Sequence, residues 1–300
     1  MEKYKKKIGF IGLGIMGKPM ASHLVNEGFD VTVFDLDSEK VEELQKLGAH
    51  SGDYETIAEN CDLILTILPN GSIVRDILFG SGNMAAHLKQ GKIVVDHSSV
   101  TPQESCLCEE KLAARGVRFM DAPVSGGETG AIDGNLAVMC GGDPDLFEEL
   151  APYFSAYGGS VRRVGKIGSG SVVKLCNQII CNINIATLAE GLVFASKAGV
   201  DPEVVYGAIH TGFAGSAVMD SKTLRMKEHD FTPSATIKVI MKDIRNVLKT
   251  ADQIDCPVPM SAQFYELLKS LKADGHYDDD STSIVTYFEK LADTDISLDT

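Results

Sequence analysis

The sequence predicts a chain in two parts: an α/β N-terminal half built on a mainly parallel sheet, and an all-α C-terminal half joined to it by a long helix. Three observations carry that reading. From Lys7 to about Val164, short β-rich runs alternate with helical patterns. After Gly165 nothing strand-like recurs, and a helical period holds from about Val172 through Ala198. The first apolar run, finally, empties directly into three closely spaced glycines. The expected domains are 1–165 and 166–300, in keeping with a 300-residue chain.

The first strand, Ile8–Ile11, leads into Gly12, Leu13, Gly14, Ile15, Met16 and Gly17 and then into residues that continue as a helix. In this strand–turn–helix order Gly12 allows the tight turn. Gly14 removes the Cβ that would block a pyrophosphate, and Gly17 lets helix and strand pack closely. A second strand, Val31–Phe34, ends in Asp35, 18 residues after Gly17. That is close to the place of an acidic ligand for a ribose 2′-hydroxyl. The pattern predicts a Rossmann dinucleotide-binding domain, and Asp35 favours NAD over NADP because a carboxylate repels a 2′-phosphate. Leu36 and Asp37 supply no compensating arginine.

Leu63–Leu68, Ile93–Val95, Arg118–Met120 and Leu136–Cys140 read as the next strands, and the turns after three of them are chemically unusual. Leu68, Pro69 and Asn70 form a stiff turn placed to wall the ribose and nicotinamide side of a cleft. Ser99, in Asp96-His97-Ser98-Ser99, offers a hydroxyl to the nicotinamide ribose or carboxamide; the competing reading is a polar turn in which Ser99 or Thr101 caps a helix. His97 reads as a structural donor without catalytic role. The third turn, Asp121–Gly130, sets Ser125 beside Gly126 and Gly127, a nest for a carboxylate that residue physics alone does not separate from a structural turn.

Gly168-Ser169-Gly170 opens the long helix, with Lys174, Asn177 and Gln178 at spacings of three and four, so that their side chains share a face. A lysine and two amides among Val172, Leu175 and Ile179 are costly to bury without partners, which favours a site over a solvated stripe. Breaks at Gly199–Pro202, Gly212–Gly215, Asp230–Pro233 and Pro257–Pro259 predict helices near 202–210, 216–227, 235–252, 258–273 and 282–292. The acidic tail Asp293–Thr300 is expected to fray.

Composition narrows the function. A formal net charge of −14 opposes a nucleic-acid partner, since phosphate neutralisation needs a basic surplus. The basic run Lys3–Lys7 reads as a solvated terminus, not a targeting signal. No run of about 18 uninterrupted apolar residues predicts a membrane span. Seven cysteines without a C-x-x-C pair fit a reducing cytoplasm and predict no metal site.

In combination these segments resemble the β-hydroxyacid dehydrogenase family over essentially the whole chain. GFIGLGIMGKPMASHL resembles its cofactor signature, DAPVSGGETGAIDGNLAVMCGG its substrate loop, GSGSVVKLCNQ its catalytic helix and KVIMKDIRNVL a later lysine–aspartate helix. Within the family the chain is most similar to the tartronate semialdehyde reductases, through KLCNQIICNINIATLAEGL, SKAGVDPEVVYGAI and AGSAVMDSK. The resemblance implies reversible NAD(P)-dependent oxidation of a 3-hydroxy acid, Lys174 as the acid/base, and a carboxylate held by Ser125, Gly126 and Gly127. It further implies Asn177 and Gln178 at the substrate, Lys242 at the cofactor with Asp243 beside it, and a homodimer or homotetramer. The implied substrate is a small anionic hydroxy acid or semialdehyde, foremost tartronate semialdehyde reduced to D-glycerate. The alternatives are 3-hydroxyisobutyrate, 2-(hydroxymethyl)glutarate or a related acid, and, from another class, a non-catalytic dinucleotide-binding module. Two departures bear on this. Gln178 stands where much of the family has a second asparagine, a glutamine shared by the tartronate semialdehyde reductases. Ala235 stands where the family often has an aromatic, which enlarges the pocket for a bulkier substrate unless Phe213 fills it. A free lysine amine titrates near roughly 10.4, so oxidation is expected to have an alkaline optimum.

Overall fold

The computed structural model describes residues 6–297. Lys3 and Lys5 of the basic run and residues 298–300 of the tail therefore lie outside the described residues. The chain divides into two compact units, Met1–Lys174 and Leu175–Thr300.

The first unit is a doubly wound sheet whose strands are β1 (Ile8–Ile11), β2 (Val31–Phe34), β3 (His50–Ser51), β4 (Leu63–Thr66), β5 (Ile93–Asp96), β6 (Arg118–Asp121), β7 (Val124–Ser125), β8 (Leu136–Gly141) and β9 (Gly158–Gly165). Their spatial order is β3-β2-β1-β4-β5-β6-β8-β7, with β9 on β8. β1 to β6 are parallel, with Ile8 opposite both Val31 and Leu63; β8 runs antiparallel to β6 and β7. β1, β4 and β5 are buried at every residue because helices cover both faces, which is why they read as unbroken apolar runs. Phe10, Leu24, Phe154 and Tyr157 pack on one face, and Ile57, Ile64, Val94 and Phe119 on the other.

The sequence reading missed β3, β7 and β9. Two of them are two residues long, and β9, GGSVRRVG, is an edge strand with exposed arginines and no apolar alternation. The run expected to end at Leu68 leaves the sheet after Thr66. There the strand order reverses between β1 and β4, and the chain turns away at Gly12 and at Ile67–Pro69. This is the crevice where a doubly wound sheet receives ligands.

The second unit is helical. Ser169–Lys197 starts in the first unit and continues into the second, followed by Pro202–Ile209, Ala217–Lys227, Ile237–Gln253, Pro259–Ala273 and Ile284–Ala292. Asp201, Ser216 and Thr236 cap three of these helices, accepting from the N–H groups of Glu203, Met219 and Val239. By length and composition Ser169–Lys197 is apolar enough to cross a bilayer. Its Ile185, Ala189, Leu192 and Val193 instead pack with Ile240, Ile244, Phe264 and Leu268 in the unit's core.

The tail departs from expectation: Ile296 is buried in that core, and its N–H donates to Glu289 Oε1 at 2.8 Å. One apolar residue is enough to anchor the described part of the tail, residues 293–297.

Asp280, wholly buried, organises the loop before helix Ile237–Gln253. It accepts from Lys222 Nζ at 2.9 Å, Ser234 Oγ at 2.7 Å, and the N–H groups of Ser234 and Ala235 at 3.1 and 2.9 Å. Burial alone would raise its carboxyl pKa, but the Ala235 N–H, the Lys222 ammonium and the Ser234 hydroxyl outweigh burial and hold it well below the usual carboxylate range. A carboxyl depressed in the folded state stabilises the fold above its unfolded value, and that contribution is lost as pH falls. Asp280→Ala strands the largely covered Lys222 ammonium, so a loss of about 3 kcal/mol is expected in denaturant unfolding at pH 7.

Candidate active site

Three turns and two helices carry the predicted residues. At the first turn Gly12 has φ +97°, and a Cβ there would stand 2.2 Å from the Ile67 carbonyl oxygen; at Gly17 it would stand 1.9 Å from the Gly12 carbonyl oxygen. Both glycines are demanded by the fold. Gly14 is different, because a Cβ there meets nothing within 4 Å. The helix Gly17–Asn26 that follows has Met16 at its N-cap, no side-chain cap and no acidic residue in its first turn. Helices Ser38–Leu47, Tyr54–Asn60 and Gly71–Phe79 are capped by Asp37, Asp53 and Asn70. A helix start without a side-chain acceptor, beside a glycine with open space above it, fits a dinucleotide pyrophosphate.

Asp35 faces the same turn. Its Oδ2 accepts from the Leu13 N–H at 2.6 Å and its Oδ1 from the Asp37 N–H at 2.9 Å. Leu13, Gly14 and Ile15 also line a cleft of about 510 Å³ that runs beside helix Gly17–Asn26 and includes Lys18 and Lys40. Both lysines are engaged by acids, Lys18 by Glu43 and Lys40 by Asp37 at 3.0 Å.

At the β4 turn, the Leu68 N–H donates to Ser98 Oγ at 2.8 Å, and Ser98 Oγ donates to Asp96 Oδ1 at 2.5 Å. The ends of β4 and β5 are thereby tied together. Asn70, read as a cofactor contact, spends its Oδ1 on the Ile73 N–H and the Ser72 hydroxyl. Pro69 separates that cap from Leu68. The capping role left open between Ser99 and Thr101 belongs to Thr101, which forms a full capping box with Glu104. Ser99 is half-buried in the turn.

Ser125 ends β7, paired with Ala137, and is followed by Gly126 at φ +143° and Gly127 at φ +65°. These conformations bring successive N–H groups to one side of a turn. Behind the loop, His97 Nδ1 donates to the Ala122 carbonyl at 2.6 Å while Nε2 accepts from Tyr157 Oη at 3.0 Å. Burial drives the His97 pKa down to about 4, so the ring is neutral at pH 7.

On the long helix Lys174 and Asn177 are half-buried. Within the second unit Asn177 Nδ2 donates to Gln178 Oε1 at 2.9 Å and Gln178 Nε2 to Asp243 Oδ2 at 2.5 Å; Lys242 Nζ lies 3.0 Å from Asp243 Oδ1. A carboxylate only accepts, so Asp243 fixes the direction of the whole chain of amides. Gln178 must turn its amino group to Asp243 and its carbonyl to Asn177, which keeps the Asn177 carbonyl as an acceptor. The sequence reading set Asp243 beside Lys242 but missed that it holds Gln178. Its signal was a charged residue at a position where the helix repeat requires burial.

Two carboxylate–histidine clusters, Glu55/Glu59/His87 and His229/Glu289/Asp295, involve none of these residues.

The family described as the NAD binding domain of 6-phosphogluconate dehydrogenase matches residues 7–165, and that described as NAD-binding of NADP-dependent 3-hydroxyisobutyrate dehydrogenase matches residues 168–288. The chain is 37% identical over 287 residues to a 2-hydroxy-3-oxopropionate reductase of Escherichia coli, covering 95% of this chain and 98% of that protein. It is 34% identical to a 2-(hydroxymethyl)glutarate dehydrogenase of Eubacterium barkeri, covering 97% of each. Among solved structures, a 3-hydroxyisobutyrate dehydrogenase from Salmonella typhimurium superposes with a TM-score of 0.85 at 26% identity, covering 93% of this chain and 99% of that one.

Proposed function

Because the chain belongs to the β-hydroxyacid dehydrogenase family of NAD(P)-dependent oxidoreductases, we propose that it reduces tartronate semialdehyde to D-glycerate with NADH, Lys174 serving as acid and base. The observation that carries the substrate is the similarity along nearly the full length to a 2-hydroxy-3-oxopropionate reductase. Gly12, Leu13, Gly14, Ile15, Met16 and Gly17 hold the pyrophosphate, Asp35 the adenosine ribose, and Leu68, Pro69, Asn70, Ser99 and Lys242 the rest of the dinucleotide. When bound, the cofactor supplies the hydride. The Lys174 ammonium gives a proton to the carbonyl oxygen as negative charge develops there; in the reverse direction the neutral amine takes it back. Ser125 and the N–H groups of Gly126 and Gly127 hold the substrate carboxylate. Asn177, oriented through Gln178 and Asp243, presents a carbonyl that accepts from the ammonium or the substrate hydroxyl.

A second reading, 2-(hydroxymethyl)glutarate or 3-hydroxyisobutyrate, is favoured by the small, exposed Ala235 and by the Eubacterium barkeri relative. A panel of semialdehydes and hydroxy acids assayed with NADH and NADPH separates the readings: tartronate semialdehyde is expected to have the highest kcat/KM, and any other acid in that place overturns the assignment. Asp35→Ala is expected to weaken NADH by roughly tenfold, the worth of about one hydrogen bond to a charged group, with NADPH affinity unchanged or improved. A wild-type preference for NADPH overturns the cofactor assignment.

Exposed Ile180, Phe194 and Phe213 in the second unit support a homodimer or homotetramer, and seven free cysteines support a cytoplasmic protein.

A further inference from the structure

We propose that Asp121 is a positioning residue for Lys174, clamping the first turn of the lysine's helix to the strand that runs into the Ser125-Gly126-Gly127 loop. The inference rests on the acid/base role given to Lys174 above.

The long helix lacks a cap of its own, because the residue before it is Gly168, which has no side chain. Asp121 supplies the missing acceptor from the end of β6. Its Oδ1 accepts from the Gly168 N–H and its Oδ2 from the Ser171 N–H, both at 2.8 Å, across 47 and 50 residues of sequence. A local cap refers a helix start to its own loop. This one refers it to the sheet, with the negative charge at the positive end of the helix dipole.

The surroundings are built around the carboxylate. A Cβ at Gly141 would stand 2.4 Å from Asp121 Oδ1, and one at Gly170 would stand 2.9 Å from Oδ2. Ser171 is held a second time, its Oγ 3.0 Å from Ser105 Oγ. Lys174 follows Ser171 by three residues, about one helical turn, so a shift of that first turn moves the amine with it. Four residues after Asp121 stands Ser125. The neighbouring Ala122 carbonyl is pinned by His97. One carboxylate thus links the predicted carboxylate cradle and the amine.

The titratable groups facing Asp121 are Asp96, its register partner on β5, Cys140 on β8 and Cys106 on helix Pro102–Ala113, and Cys106 in turn feels Glu109 and Lys166. Burial raises the Asp121 pKa to about 6 against the two N–H groups, and it pushes the Cys140 thiol up to about 12. His97 is already neutral there. Protonation of Asp121 places an O–H where an acceptor had faced an N–H, which loosens the clamp.

Because the folded value lies above the unfolded one, ionisation of Asp121 costs stability as pH rises through about 6. Asp121→Asn removes that buried charge and keeps one acceptor. Its melting temperature at pH 7 is therefore expected to stay within about 5 °C of wild type. Turnover is expected to drop roughly 100-fold, the cost of a misplacement of about 1 Å, with NADH affinity within twofold. In wild type kcat falls along an acid limb near pH 6 that is missing in the variant. A variant with wild-type kcat, or one retaining the limb, overturns the proposal.

Nuclear magnetic resonance of the intact wild-type protein tests the clamp without any variant. The amide protons of Gly168 and Ser171 are expected to titrate together between pH 5 and 8; amides that stay fixed over that range overturn it. If Lys174→Ala keeps full turnover, the acid/base assignment fails even where those amides titrate. If Lys174→Ala is inactive and Asp121→Asn is not impaired, only the positioning role fails.

Discussion

Lys174→Ala is expected to lower kcat by at least about 100-fold, within the usual worth of a positioned acid–base group, while NADH binds as in wild type. The separation follows from where the two functions sit. The glycine turn is built from Gly12, Gly14, Gly17 and Asp35, which follow β1 and β2, whereas the amine stands on a helix whose start is fixed by Asp121. Truncation at Lys174 leaves the Asn177–Gln178–Asp243 bonds in place. Substrate KM is therefore expected to change less than kcat. Steady-state kinetics with a fluorescence titration of NADH checks both, and full turnover in the variant removes Lys174 from the chemistry.

The second large effect contrasts two glycines of one turn. Gly14→Val is expected to weaken NADH by about two orders of magnitude, or about 2.8 kcal/mol, with an unchanged melting temperature, since nothing in the protein lies within 4 Å of a Cβ there. Gly17→Ala is expected to cost about 3 kcal/mol of stability through overpacking, because its Cβ would be driven to 1.9 Å from the Gly12 carbonyl oxygen. Thermal melts beside cofactor titrations separate the cases. A Gly14 variant that binds normally would remove the pyrophosphate from that side of the turn.

The architecture was readable in the sequence wherever one period dominated. The buried parallel strands announce themselves as apolar runs, and the helices of the second unit are bounded by caps and breakers that lie within two residues of the expected ends. What escaped was set by long-range pairing. β9 is held by its register with β8 and not by its own alternation, and β7 is two residues defined by their pairing with Val138 and Ala137 of β8. The glycine turn and the lysine helix were visible as local motifs. Asp121 and Asp243 were not, because each acts on groups 47 to 65 residues away, and a lone carboxylate carries no sign of its partner. The tail shows the same limit, since only the core reveals that Ile296 has a place in it.

Ala235 itself is secured through its main chain. The Ala235 N–H reaches Asp280, its carbonyl accepts from the Ser281 N–H at 2.9 Å, and the methyl group itself faces outward. Such a mount is indifferent to what it displays. Selection, or an engineer, is free to swap the side chain at this one station, aromatic for methyl or methyl for aromatic, while the scaffold beneath keeps its shape.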